Sequence, residues 1–251
     1  MSLEREIRRL RHEGARRREL TVASKTLLSD YYLSIRFTCD DFADFVSAGA
    51  DDHVKLFVPD RTDAHGKPLM RDYTPRAFDR DAGEITIDFA MHDDPGPATG
   101  WAIAARIGDR ISIGGPRGSA VIPESFDWYW LIGDETAIPA ISRRIDEWPA
   151  TPLQILIAVR SQEKVPLVLG PHHSVQWLHC PAGDVDDTRS ICAALARWQL
   201  PEGEGFVWIA AEAAAAKAVR EHLIDRGHPA HRMKAAGYWV RGQADAKAHL
   251  D

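Results

Sequence analysis

The chain has 251 residues, enough for one large domain or two ordinary ones at about 100–200 residues each. Its residues are 45% hydrophobic and 27% charged, which excludes a disordered or collagen-like chain, and 31 Lys and Arg against 37 Asp and Glu leave a net charge of −6 that disfavours nucleic acid as the main partner. Cys39, Cys180 and Cys192 are odd in number and show no Cys-x-x-Cys spacing, which excludes a disulfide framework and a cysteine-ligated zinc or iron–sulfur cluster. Neither an apolar signal core nor a run of roughly 18 apolar residues is present, so the expected location is cytoplasmic, without membrane insertion.

In chain order, residues 1–19 come first, and the first 20 residues hold seven Arg and four Glu. Leu3, Ile7 and Leu10 recur at helical spacing, which predicts a short, solvated helical lead-in. From residue 20 to 122 the pattern is β. Candidate strands at 20–28, 31–38, 53–58, 71–78, 84–91 and 109–114 alternate apolar and polar residues between Gly, Asp and Pro clusters. Six such strands with one helical insertion at 99–106 predict a small antiparallel β-barrel. Residues 123–251 follow a different grammar. The runs DWYWLIG, LQILIAV, VQWLHC, GFVWIAA and RMKAAGYWV alternate with helical patterns, which predicts a doubly wound, mostly parallel α/β domain.

Three clusters in the first domain could carry chemistry. Arg71-Asp72-Tyr73-Thr74-Pro75 offers a guanidinium fork for a diphosphate, a ring for stacking and a hydroxyl. Alternation puts Arg71 and Tyr73 on one face and Thr74 on the other, unless Pro75 bends the chain. His92 to Trp101 (HDDPGPATGW) breaks a strand and opens a helix, with Thr99 placed to cap it and its amides facing an anion. Gly114-Gly115-Pro116-Arg117-Gly118 is a tight turn displaying Arg117. Taken singly, a strand with a surface Arg and a plain capped turn explain the first two clusters equally well. His172, His173, His179, His228 and His231 lack metal-site spacing and read as surface or loop histidines.

Taken in order, Arg-x-Tyr-Thr, His-(x)4-Pro-Ala-Thr-x-Trp and Gly-Gly-Pro-Arg-Gly resemble the siderophore-interacting proteins, flavin-dependent ferric-siderophore reductases of the ferredoxin-reductase superfamily. The segments Asp52 to Phe57, Gly133 to Ala140 and Gly237-Tyr238-Trp239 extend the resemblance from about residue 20 to 243. It implies a FAD-binding barrel joined to an NAD(P)H-binding domain. Arg71 would bind the flavin diphosphate, with Asp72 beside it. Tyr73 would stack on the isoalloxazine and Thr74 bond near its reactive edge. Asp88, His92, Gly96, Pro97, Ala98, Thr99 and Trp101 would hold the rest of a non-covalent FAD.

For NAD(P)H, the resemblance points to Asp134 and Glu135 near the nicotinamide. Thr136 is placed to cap the following helix, and Glu212 lies at a later strand end, where Ala210-Ala211-Glu212 departs from the family's Gly-Glu. Arg160 ends the second strand of this domain, where an Arg can accept the 2′-phosphate, so NADPH is expected over NADH. Lys55, Arg117 and Arg241 would attract an anionic ferric siderophore. The family's Gly-Tyr-Trp-Arg is interrupted by Val240, which leaves Lys234 as a substitute for Arg241. The expected activity is electron transfer from NAD(P)H, or from a ferredoxin, through FAD to Fe(III)–siderophore. The rival readings are a general flavin or ferredoxin-type reductase and a non-redox ferric-siderophore-binding protein.

Overall fold

The computed structural model describes residues 5–63, 65–180, 184–243 and 248–249. The chain divides into two compact units, Met1–Pro123 with Ser142–Arg144, and Glu124–Ile141 with Ile145–Asp251.

Among the described residues of the first unit the first strand is β1 (Arg8–Arg11), within the span expected to be helical. Its backbone pairs with a later strand, β9 (Gly118–Val121), in a two-stranded antiparallel sheet. Leu3 lies outside the described residues; Leu10 stays 41% exposed, and the long-range backbone ladder prevails over local pattern.

The main sheet of this unit has seven strands, one more than expected. They are β2 (Arg17–Ser29), β3 (Tyr32–Thr38), β4 (Val54–Thr62), β5 (Pro68–Tyr73), β6 (Pro75–Asp79), β7 (Glu84–Ala90) and β8 (Arg110–Gly114), in the order β5-β4-β8-β2-β3-β7-β6. The extra strand arises because the expected 71–78 strand is cut at Thr74. Pro75 has no N–H to continue a ladder, so β5 pairs with β4 while β6 pairs with β7. Those two strands are opposite edges of the sheet, yet one residue separates them, so the sheet must curl. Its concave side collects the alternating apolar residues. Leu20, Ile35, Phe37, Val54, Leu56, Ile85, Ile87, Phe89 and Ile113 are all fully buried there. Ala98 and Ala102 of helix α1 (Pro97–Ala104) join the same cluster.

The second unit is a parallel sheet of five strands, with a short sixth strand antiparallel at its edge. Strand β10 (Trp128–Asp134) is followed by helix α2 (Ile138–Glu147), β11 (Leu153–Val159), β12 (His173–His179), α3 (Thr188–Leu195), β13 (Gly205–Glu212), α4 (Ala213–Asp225), β14 (Met233–Trp239) and β15 (Ala248–His249). The spatial order is β12-β11-β10-β13-β14-β15. The chain therefore winds outward from β10 in one direction and then restarts on its other side, which opens a crevice at the carboxyl ends of β10 and β13. Both strands are buried at every position, as their continuous apolar runs require. Trp128, Trp130 and Ile132 face α3 and α4. Gly133 faces the other side, toward Ala137 and Ile141 at the start of α2.

Gly133 is required by this close approach. A Cβ there would lie 2.4 Å from the Ala137 Cβ and 2.7 Å from the Ala210 carbonyl oxygen. Gly133→Ala is expected to destabilise the protein by about 2–3 kcal/mol, read from its urea midpoint at unchanged slope. An unchanged midpoint would mean that β10, β13 and α2 do not approach this closely. Among the described residues, no helix is long and apolar enough to cross a membrane.

Candidate functional site

In the first unit, the curl places the Arg71–Thr74 segment against the start of α1. Arg71 and Tyr73 lie near the end of β5, half-buried, and Thr74 is buried in the one-residue link to β6. Arg71 Nη1 donates to the Met70 carbonyl at 2.7 Å. The Tyr73 hydroxyl lies 3.3 Å from the Thr99 hydroxyl, and the Tyr73 ring packs against Phe89 with centroids 4.6 Å apart. Desolvation pushes the Tyr73 phenol above its usual range, so the hydroxyl stays protonated.

Thr99 does not cap α1. The helix starts earlier, at Pro97, and its N-cap is Gly96, which brings no side-chain hydrogen bond. Proline at the first helical position has its φ preset and lacks an N–H that would need a partner, so the cap falls three residues earlier, at Gly96. Thr99 is thus inside the first turn, where it meets Tyr73. The first turn holds no acidic residue, and nothing lies within 4 Å of where a Gly96 Cβ would be. His92, Gly96 and Pro97 are exposed, whereas the Ala98 side chain is in the core. Trp101 stacks on Phe37 at 6.4 Å and is partly a core residue. Asp88 is buried on β7, taking the Ser34 hydroxyl at 2.5 Å with Arg76 at 3.7 Å, and burial pushes its carboxyl up.

In the second unit, Asp134, Glu135, Thr136, Arg160 and Glu212 gather at the carboxyl ends of β10, β11 and β13. Asp134 accepts four hydrogen bonds: from the Thr136 amide (2.8 Å), the Thr136 hydroxyl (2.5 Å), the Glu212 amide (2.9 Å) and Trp239 Nε1 (2.8 Å). Burial pushes this carboxyl up, and the four donors pull it back down. The cap of the turn before α2 is therefore Asp134, not Thr136, because Asp in this extended conformation reaches the amide two residues on.

Glu135 is fully buried and held in a two-pronged ion pair by Arg160, whose Nε donates at 3.1 Å and whose Nη2 donates to the other oxygen. Burial raises the Glu135 carboxyl, and Arg160 offsets that rise. Glu212 caps α4 through the amides of Ala214 (2.6 Å) and Ala215 (3.2 Å) and also accepts from the Arg241 amide at 3.2 Å.

Of the expected substrate cations, Lys55 pairs with Asp72 at 2.9 Å. Arg241 pairs with Asp186 and, at 3.3 Å, with Asp184, and its Nε donates to Asp186 at 2.6 Å. Arg117 is exposed in the turn between β8 and β9. Lys234 sits within β14, in register with Trp208 of β13. Two roles were missed at the level of sequence. The Trp239 indole anchors Asp134, and the acidic run Asp184-Val185-Asp186-Asp187 holds Arg241 and caps α3. The spacing Asp134-x-Thr136 was a usable signal for the first cap. The Trp239 and Arg241 contacts span 105 and 55 residues and leave no local mark.

Residues 126–242 match the siderophore-interacting protein family, and residues 60–120 match the siderophore-interacting FAD-binding domain. The NADPH-dependent ferric-chelate reductase of Escherichia coli (strain K12) is 32% identical over 245 residues, which cover 88% of this chain and 92% of that protein. The ferric vibriobactin reductase ViuB of Vibrio cholerae is 27% identical, with 92% of each chain covered. The crystal structure of a siderophore utilization protein from T. fusca superposes with a TM-score of 0.85 at 31% identity, covering 97% of this chain and 100% of that one. The family-model match, identity of this extent over nearly the whole chain and the shared fold place the chain in the siderophore-interacting protein family.

Proposed function

We propose that this chain is a FAD-dependent reductase that passes electrons from NADPH to a ferric siderophore and releases Fe(II). The observation that carries the reading is the junction of Arg71, Tyr73 and Thr74 with the open first turn of α1, inside the segment that matches a siderophore-interacting FAD-binding domain. These residues fit the cofactor. A guanidinium and an α1 terminus that no side chain caps suit a pyrophosphate, and a half-buried Tyr beside two Thr hydroxyls suits a flat, polar-edged ring.

Arg71 and the α1 amides would bind the diphosphate, Tyr73 would orient the ring, and Thr74 would bond its edge, all without a covalent link. When bound, FAD supplies the chemistry of accepting two electrons as a hydride and releasing them one at a time. The balance is one NADPH oxidised to NADP⁺ with release of a proton, and two Fe(III) reduced to Fe(II). Reduction loosens the hard-oxygen chelate, so iron is substrate and leaves.

NADPH rather than NADH is supported by the name of the Escherichia coli relative and by Arg160 at the end of β11. Arg160 is braced by Glu135, so a 2′-phosphate would meet a fixed guanidinium whose charge is partly offset, and Glu135, in contact with it, would stand at the adenosine end and not at the nicotinamide. The reading places the enzyme in the cytoplasm, with the barrel of 20–122 as the FAD domain and 123–251 as the nucleotide domain.

The test is anaerobic. NADPH, then NADH, is added to the yellow purified protein, and ferric siderophore follows. Flavin bleaching by NADPH and recovery on adding the chelate is the expected result. Bleaching only by a chemical reductant would replace the nucleotide with a protein donor such as a ferredoxin. A colourless protein that still bound the chelate would overturn the reading in favour of a binding protein.

A further inference from the structure

Two of the three cations assigned to the substrate are already engaged. Lys55 is held by Asp72, and Arg241 by Asp184 and Asp186. In a chain of net charge −6, that leaves Arg117 as thin provision for an anionic chelate. The structure supplies more charge from an unexpected place. Strand β1 has the sequence RRLR and pairs with β9 directly after the Arg117 turn. Arg11 lies opposite Gly118 and Arg8 opposite Val121, while the His12 amide donates to the Arg117 carbonyl at 2.9 Å. Arg8, Arg11 and Arg117 are all exposed, and none has an ion-pair partner among the described residues.

Strand β1 contributes nothing to a core, since its four residues are exposed, yet it is firmly fixed. His12 Nε2 lies 2.7 Å from the Ser119 hydroxyl, which in turn donates to the buried Asp52 carboxylate. Gly118 is matched to the strand as well, because a Cβ there would stand 2.4 Å from the Leu10 carbonyl oxygen. A buried polar network and a required glycine thus hold in place a strand whose guanidinium groups leave both faces, Arg8 from one and Arg9 and Arg11 from the other.

We propose that Arg8 and Arg11, on opposite faces of β1, together with Arg117, set up a positive field at this two-stranded edge, a guidance patch that draws anionic ferric chelates to this enzyme; this rests on the reductase reading above. Exposed charges of this kind act mainly on encounter. They raise the local concentration of an oppositely charged substrate, and salt screens them. The patch therefore discriminates among chelates by charge, whereas the ion-paired Lys55 and Arg241 contribute less to long-range attraction.

The experiment compares two probes on the FAD-loaded enzyme, a trianionic ferric tris-catecholate and a neutral ferric tris-hydroxamate, with NADPH as donor. The double variant R8E/R11E is expected to lower kcat/KM for the trianion by about tenfold at low ionic strength with kcat unchanged. The neutral chelate should be unaffected. R8K/R11K, which keeps the charge, should retain the wild-type rate. The difference should vanish near 1 M salt, where the screening length falls to about 3 Å. An equal fall for both chelates, or a fall that salt does not erase, would overturn the proposal. If the wild type reduces neither chelate, the reductase reading fails on its own. Quenching of tryptophan fluorescence by the two ferric chelates then still decides the patch: weaker binding of the trianion by R8E/R11E supports it, and equal binding overturns it.

Discussion

Arg71→Ala should yield a protein that purifies nearly colourless. Arg71 is near the end of β5, where the chain crosses to the other edge of the curled sheet, and its guanidinium stays close to its own backbone through the Met70 carbonyl. It is half-buried, so its charge acts in partial desolvation, where a charged hydrogen bond contributes about 1.5–3 kcal/mol. If Arg71 holds the diphosphate as proposed, losing two such bonds would weaken cofactor affinity by at least about a hundredfold, enough to strip FAD during purification. Arg71→Lys, which keeps the charge but not the fork, should retain part of the colour. The measurement is the ratio of flavin to protein absorbance after dialysis, with the urea midpoint of the flavin-free forms as the control for folding. Full flavin content in Arg71→Ala would remove Arg71 from the cofactor site.

The second large effect is expected from Asp134→Asn, a change of two atoms' chemistry at nearly constant volume. All four groups around this carboxyl are donors, drawn from the turn after β10, the end of β13 and the Trp239 ring of β14. An asparagine can turn its one oxygen to only half of them. Its amide nitrogen then faces either the Glu212 and Trp239 N–H groups or the Thr136 amide, where only the Thr136 hydroxyl can turn to accept, so at least one buried N–H and one amide hydrogen are left unpaired in a fully buried position. At about 1–3 kcal/mol for each unsatisfied buried group, a loss of about 3–5 kcal/mol follows. Urea unfolding measures it, and Thr136→Val, which removes one hydroxyl, should cost only about 1 kcal/mol by the same measurement. Wild-type stability in Asp134→Asn would show that the carboxyl is not the hub of these three strand ends.

Much of this molecule was legible because its core obeys simple periods. EITIDFAM alternates and becomes β7 with Ile85, Ile87 and Phe89 inward, and DWYWLIG is continuous and becomes a strand buried on both faces. The failures have physical causes. The split at Thr74 was announced by Pro75, but alternation on both sides concealed that the two halves pair with different neighbours. The start of α1 was read from a good capping residue, Thr99, when the stronger marker was Pro97. The first residues read as a helix because side-chain spacing carries no information about a backbone partner more than a hundred residues away. The sequence named candidate site residues but not their partners. Lys55 with Asp72 and Arg241 with Asp186 are pairs made by the fold, and they change which cations are available.

The single residue between β5 and β6 has a thermodynamic consequence. Sheet closure depends on Thr74 and its neighbours keeping two edges together that share no ladder of their own, so this is a seam where the first unit can open locally. On the proposed reading, FAD held by Arg71, Tyr73 and Thr74 would bind the closed form and not the opened one, and by mass action it would add about 2.7 kcal/mol of protection when present at a hundred times its Kd. Cofactor supply then governs more than activity. A cell short of flavin would hold this protein in a form whose seam exchanges its amide hydrogens faster and is cut sooner by proteases, so the amount of reductase would follow the amount of cofactor without any dedicated regulator.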